Sequence, residues 1–460
     1  MADYNGKYPV LKDTVRIKKL PNFCWIIELE SDCNRAIAPI EAFLLATCTG
    51  EWDLEQICYI LSQTYRLESS RTQDIVHTVF EELRVCFLWR ESPRKTNTRY
   101  APSDFIYVPT SGVLAGQERC DTPCELYLSL THKCNFRCIY CFNASGHGDQ
   151  REIKTGQWLG MIRQAAGLGV IKCTLTGGEP MLYDGFYDIL EELVRLDIMP
   201  SICTNGSLID DADVLRFKEL GIRTVQISMD SADPDIHHRM TATGNTFHKV
   251  VSAIEKLADA GIQVNVKTVL TPYNLDGIDR FIQLCNSIGV SKLTLDRYDV
   301  SSCGRGGSEL LISEQQMESV RKMVQENREK IADRLTVEAV AYPKRWSCEE
   351  DIVFCGAFRR SMIILPSGDV SVCEKLVDIP EMIVGNICAD NLYDIWNSPK
   401  ITDILSPMPD KLDVSCRTCE HLEKCGTGCY AIKYFLNKGP HSTDPRCWKA
   451  SPVDNPYAQL

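Results

Sequence analysis

Three cysteines crowd into eight residues at Cys134-Asn-Phe-Arg-Cys138-Ile-Tyr-Cys141. This C-x3-C-x2-C spacing lets three thiolates wrap one compact centre. Zinc would need a fourth ligand to close a structural site, for which His132 and His147 lie nearby in sequence. A [4Fe–4S] cluster on three cysteines would instead keep one iron open for a substrate or cofactor. A second set gathers toward the C-terminus: Cys355, Cys373, then Cys416-x2-Cys419-x5-Cys425-x3-Cys429, and Cys447. Read by spacing alone, its C-x2-C pair with later cysteines also fits a zinc ribbon. Three polar segments could serve the first centre: Thr176-Gly177-Gly178-Glu179-Pro180, Thr204-Asn205-Gly206 and Ser228-Met229-Asp230. A single Gly-Gly-acid-Pro is an ordinary turn. Three such segments at successive strand ends form a pattern.

The elements that must position these residues alternate from about residue 125. Strand candidates are Leu126–Leu130, Lys172–Leu175, Ser201–Cys203, Thr224–Ser228, Gln263–Val269 and Lys292–Leu295. Amphipathic helices lie between them, as in Phe186, Ile189, Leu190, Leu193 and in Phe247, Val250, Val251, Ile254, Leu257. Gly169, Gly221, Gly261 and Gly289 follow four of the helices, where a left-handed cap favours glycine. Six alternations imply a parallel sheet, as an incomplete barrel or a doubly wound fold; both put chemistry at the C-terminal strand ends. Residues 1–95 carry a short hairpin, helices and a closing strand over Val85–Trp89, a small winged-helix-like module, with Asp53 as an N-cap and Gln56 three residues on. Residues 96–124 read as a linker, 125–335 as the barrel, and 345–450 as a cysteine-rich domain too poor in regular apolar pattern for a large core. Metal ligation is expected to hold that last domain together.

The C-x3-C-x2-C loop with Tyr140 before its last cysteine resembles the radical S-adenosylmethionine (SAM) superfamily. The three strand-end segments are similar to those with which that family contacts SAM. The resemblance implies an α/β fold built as a partial (β/α)6 TIM-type barrel. It implies SAM contacts from Tyr140, Gly177, Gly178, Glu179, Ser228 and Asp230, with a [4Fe–4S] cluster on Cys134, Cys138 and Cys141. Relatives often place an arginine where this chain has Thr241, and Arg239 stands two residues early. The seven-cysteine order after residue 350 resembles the SPASM domain. It implies two auxiliary [4Fe–4S] clusters, the first on Cys355, Cys373 and Cys429 with Cys348 as a further candidate ligand, the second on Cys416, Cys419, Cys425 and Cys447. The segments Asn34-Arg35-Ala36, Thr49-Gly50 and Leu54-Glu55-Gln56-Ile57 are similar to the peptide recognition element of pathways that modify ribosomally made peptides. Such a module takes a leader peptide as an added strand.

Together these resemblances imply a peptide maturase that forms thioether cross-links, from cysteine sulfur to carbon, through a 5′-deoxyadenosyl radical. The implied cofactors are SAM and three [4Fe–4S] clusters. The implied partners are a leader-bearing precursor peptide and an external one-electron donor of flavodoxin or ferredoxin type. Carbon–carbon cross-linking and formylglycine formation are alternatives with the same parts; a zinc-dependent peptide-binding regulator without catalysis is one of a different class.

Composition narrows the field. Fifty lysines and arginines face 62 acids, a net charge of −12, which lacks the basic surface of a nucleic-acid binder. The first 95 residues carry twelve basic and fourteen acidic side chains, so the N-terminal helices also lack a phosphate-binding face. The start, MADYNGKYPV, has no signal-peptide core, and no apolar run nears the ~18 residues of a membrane helix. A cytoplasmic location is expected, where 23 cysteines stay reduced and suggest metals or catalysis. Cys24, Cys33, Cys48, Cys58, Cys86, Cys173, Cys203 and Cys285 fall in apolar patterns and read as small core residues.

Overall fold

The computed structural model describes residues 6–21, 23–28, 31, 33–96, 99–106, 119–142, 151–298, 307–328, 330–331, 335–340, 355–377, 379–405, 412–420, 422, 428–435, 442–444 and 447. The candidate ligands Cys348 and Cys425 lie outside these residues. The chain divides into two units, Met1–Asp121 and Thr122–Leu460.

In the first unit, β1 (Tyr8–Leu11) pairs antiparallel with β5 (Phe87–Arg90). A second antiparallel sheet runs β2 (Val15–Lys19), β3 (Cys24–Glu28), β4 (Asn34–Ile37) in that order. Helices α1 (Pro39–Thr47), α2 (Leu54–Tyr65) and α3 (Ser69–Glu82) lie between β4 and β5. The capping box foreseen at α2 is present: Gln56 N donates to Asp53 Oδ1 at 2.9 Å, and Asp53 N to Gln56 Oε1 at 3.0 Å. Ile26, Leu44 and Val76 are wholly buried in one core. That core also takes Phe105, while Tyr100 packs at its edge and accepts a hydrogen bond from Ile17 N at 2.8 Å. The first part of the expected linker is thus integral to this unit, because two aromatic side chains give it apolar area to bury.

The second unit is built on a ten-stranded sheet. Its parallel run is β6 (Glu125–Ser129), β7 (Lys172–Thr176), β8 (Met199–Thr204), β9 (Thr224–Ser228), β10 (Gln263–Leu270), β11 (Lys292–Arg297) and β12 (Thr336–Val340). Neighbours follow chain order without reversal, as in a barrel and unlike a doubly wound sheet. Helices α4 (Thr155–Gly167), α5 (Phe186–Arg195), α6 (Asp211–Glu219), α7 (Pro234–Thr241), α8 (Phe247–Asp259), α9 (Ile278–Ser287) and α10 (Glu314–Asn327) occur along this run. Burial alternates strictly along β10 and β11, so one face of each is packed and the other looks into a lumen.

Two strands exceed the six expected parallel ones. β12 extends the run, and β13 (Ser361–Ile364) lies parallel to β6 on its other side, with Met362 opposite Leu126. β14 (Asp369–Ser371) and β15 (Ile383–Asn386) continue antiparallel. The start of the cysteine-rich segment therefore belongs to the barrel sheet.

Candidate active site

The first cysteine loop leaves β6 and is clamped by the segment that ends β7. Gly178 N donates to Thr131 O at 2.7 Å, and Glu179 N to Lys133 O at 2.8 Å. Two backbones can approach so closely only without side chains between them. A Cβ on Gly177, whose φ is +133°, would sit 2.6 Å from Thr131 O, and one on Gly178 would strike the Lys133 carbonyl. Glu179 then turns inward and is fully buried. Its Oε1 accepts from Thr204 Oγ1 at 2.8 Å and from Met181 N at 3.2 Å, and its Oε2 accepts from Asn205 N at 2.8 Å. Burial pushes its carboxyl up to about 7 although these donors favour the ionised form. A buried, half-ionised carboxylate with a preset orientation suits an incoming cation.

The ends of β8 and β9 fix the rest of the loop. Asn205 Nδ2 donates to Asn135 Oδ1 at 2.7 Å, and Asn135 Nδ2 to Ser207 Oγ at 2.8 Å. Arg137 N and Ile139 N donate to Thr241 O and Met240 O, each at 2.9 Å, which ties the loop to the end of α7. Tyr140 Oη donates to Asp230 Oδ2 at 2.6 Å. Asp230 is buried just beyond β9, and burial raises its carboxyl to about 7. Its backbone oxygen accepts from Asn274 Nδ2 at 3.0 Å. Arg239 is exposed on α7 with its guanidinium 3.7 Å from the centre of the Tyr273 ring. Thr241 stands at the lumen instead.

The lumen is a cavity of about 740 Å³. Cys134, Cys138 and Cys141 line it together with Tyr140, Gly177, Gly178 and Ser228, and Cys355 and Cys373 line it as well. Burial raises the Cys134 thiol to about 11 and drives Cys138 and Cys373 well above the usual thiol range, so a metal must displace protons to bind. Among the described residues, no three His, Cys, Asp or Glu side chains surround a single ion. The three thiols border a cavity with room for a group larger than a single ion.

Farther along the chain, Cys429 and Cys373 lie within electrostatic range of Cys355, and Cys419 within range of Cys416. The segment 442–447 is fastened to these cysteines by side-chain contacts. Cys416 Sγ and Thr443 Oγ1 are 3.3 Å apart, and Thr443 N donates to Asp413 Oδ2 at 2.7 Å. Asp444 Oδ2 accepts from Cys429 N at 2.9 Å, and its backbone oxygen accepts from Cys447 N at 2.8 Å.

Three lumen residues went unforeseen. Lys267 and Asp296 pair at 2.9 Å across β10 and β11. Cys203, read as core, lines the cavity half-buried, a correction that follows from β8 turning alternate side chains inward. A lysine between Val266 and Thr268 on a barrel strand was the available signal for Lys267.

Comparison with known proteins follows the same division. Residues 128–285 match the family model of the radical SAM superfamily, and residues 355–420 match SPASM, an iron–sulfur cluster-binding domain. The iron–sulfur match leaves the zinc regulator without support. The chain is 25% identical over 330 residues to a PqqA peptide cyclase of Granulibacter bethesdensis, covering 71% of this chain and 87% of that protein. It is 27% identical over 333 residues to the mycofactocin maturase MftC of Mycobacterium ulcerans, covering 71% and 88%. Among solved structures, SuiB of Streptococcus suis bound to S-adenosylmethionine shares the fold with a TM-score of 0.66 at 16% identity, over 95% of this chain and 100% of that one.

Proposed function

We propose that this chain, which carries a radical SAM domain and a SPASM domain, modifies a ribosomally made precursor peptide by closing cross-links within it. The observation that carries this reading is the single cavity bordered by Cys134, Cys138 and Cys141 and also by Cys355 and Cys373. Relatives named for peptide cyclisation and maturation, each matched over 71% of the chain, support a peptide substrate. Cys134, Cys138 and Cys141 would hold the SAM-binding cluster. Cys355, Cys373 and Cys429 would hold one auxiliary cluster with one position left open, Cys348 being the candidate ligand that would otherwise fill it, and Cys416, Cys419, Cys425 and Cys447 would hold the other. When bound, these groups supply one-electron cleavage of SAM to a 5′-deoxyadenosyl radical that removes hydrogen from an unactivated carbon.

The chain's own residues bind and shield. Glu179 would hold the SAM ammonium, and its carboxylate form is the one that would meet that cation. Gly177 and Gly178 keep the wall at backbone thickness, while Ser228 at the lumen, and Asp230 buried behind Tyr140, would serve the ribose and carboxylate. Tyr140, held by Asp230, closes one wall, and the lumen keeps water from the reacting carbon. In the first unit, β4 has one strand neighbour among the described residues, so a leader peptide can add along its free edge. An external donor of flavodoxin or ferredoxin type supplies the electron.

The cross-link is proposed as a thioether, because three-cysteine ligation of an auxiliary cluster leaves a position for a substrate thiol. Carbon–carbon closure is the second reading, favoured by the resemblance to a peptide cyclase. Mass spectrometry of a co-expressed neighbouring small peptide decides between them. Each thioether removes two hydrogens and one alkylatable cysteine; each carbon–carbon link removes two hydrogens and leaves the thiols alkylatable. An unchanged peptide, with no SAM cleavage by the reduced, iron-loaded protein, overturns the whole reading. Removing residues 1–121 should leave SAM cleavage but sharply reduce peptide modification; equal modification by both forms would contradict leader capture by the first unit.

A further inference from the structure

Two thiols touch in the first unit, far along the chain from every proposed cluster ligand. Cys86 Sγ lies 3.9 Å from Cys33 Sγ, across 53 residues of sequence. The backbones that carry them are fixed. Glu28 N donates to Cys33 O at 2.8 Å, which sets Cys33 at the turn into β4. Cys86 N donates to Leu83 O at 2.8 Å, and Lys12 N to Cys86 O at 2.9 Å, which holds Cys86 between α3 and β5. A disulfide would close this contact from 3.9 Å to about 2 Å.

The two sulfurs are also unlike. Cys86 is fully buried, whereas Cys33 is partly open to solvent. The Cys86 S–H donates toward Cys33, and Arg35 stands nearby; both lower the Cys33 thiol, while burial and Glu28 oppose them. The same contact, with burial, pushes the Cys86 thiol up. This is the asymmetry of an attacking and a resolving pair. A cytosolic core residue has no use for it.

We propose that Cys33 and Cys86 form a reversible disulfide when the chain meets a hydroperoxide, stapling the entry of the edge strand β4 to the α3–β5 junction. The Cys33 thiolate attacks the peroxide oxygen, the O–O bond breaks, and Cys33 becomes a sulfenic acid as water departs. The Cys86 thiol then attacks that sulfur, the S–S bond forms, and a second water leaves. The sum is two thiols and hydrogen peroxide giving a disulfide and two waters; a dithiol reductant reverses it. The inference requires neither a cluster nor a peptide substrate, so it stands apart from the proposed function.

The test uses the full chain exposed to hydrogen peroxide, with free thiols then blocked and trypsin applied without reduction. Cys86 falls in the peptide Val85–Arg90, and Cys33 in Leu20–Arg35, where fragmentation separates it from Cys24. The expected product is these two peptides joined through Cys33, two hydrogens lighter than their sum and lost on treatment with dithiothreitol. Cys86→Ser should strand the intermediate, read as a dimedone adduct on Cys33, and Cys33→Ser should leave Cys86 without one. Linkage through Cys24, an adduct on Cys86 in the Cys33→Ser protein, or Cys33 oxidised beyond sulfenic acid beside a reduced Cys86 in the unmutated chain would each overturn the proposal.

Discussion

The cysteines that line the barrel mouth and those between 413 and 447 are held by different neighbours. The loop from Thr131 to Cys141 is bound backbone to backbone, through Thr131, Lys133, Arg137 and Ile139, to the end of β7 and to α7. The later cysteines sit around helices of four and six residues, Val414–Arg417 and Tyr430–Phe435. Among the described residues, local backbone turns hold them, and the side chains of Thr443 and Asp444 tie them across the segment. Main-chain hydrogen bonds to a barrel persist whatever the loop carries. Side-chain ties between short helices cooperate with whatever the thiols bind. On the proposed reading, the barrel backbone presets the mouth, and the C-terminal segment would be completed by what its thiols bind.

The most severe way to probe this contrast is Cys134→Ala. It should abolish 5′-deoxyadenosine production while leaving the thermal transition of the iron-free protein in place; retained SAM cleavage would remove Cys134 from the proposed ligand set. Asp444→Ala strikes the other side. Losing the acceptor for Cys429 N should cost about 1–3 kcal/mol of stability and lower the iron content, with SAM cleavage still measurable. Equal damage to SAM cleavage and iron content would erase the distinction between the two regions.

A subtler probe is pH. Glu179 titrates near 7 in the free protein, and its carboxylate is the form that meets an ammonium. SAM affinity should therefore weaken about tenfold between pH 8 and pH 6, and Glu179→Gln should flatten the profile. Stability runs the other way. With the folded value raised, the folded chain holds the extra proton between the ordinary carboxylate range and about 7, so stability from this group falls as pH rises through that window. Chemical denaturation across that range checks the sign. The smallest effect belongs to Arg239→Ala, which removes a stacked contact of about 0.5–1 kcal/mol and should leave SAM affinity unchanged by calorimetry.

What was legible in the sequence was local. The strand-end segments announce themselves because the glycines, Glu179 and the cysteines are close in sequence to the strands that present them. The capping box at Asp53 and Gln56 is likewise a four-residue matter. What escaped depends on distant partners. β13 is a short apolar run whose identity as a barrel strand comes only from β6, and β12 is similarly set by β11. Tyr100 and Phe105 look like linker until a core exists to receive them. Cys203 differs from Cys173 only in what faces it: Cys173 is packed, while Cys203 meets the lumen. Hydrophobicity alone does not separate a packed wall from a cavity wall.

The pairing of β13 with β6 has a consequence during synthesis. β6 leaves the ribosome long before residues 361–364, and its outer edge must wait for them. At about 5–20 residues per second the delay is on the order of ten to fifty seconds. Through that interval a row of unpaired amides and carbonyls lies beside Leu126 and Leu128, the kind of edge that recruits stray strands. Truncation before residue 361 makes the interval permanent. Such a shortened chain should aggregate for want of a neighbour, even with Cys134, Cys138, Cys141 and the strand-end segments all present.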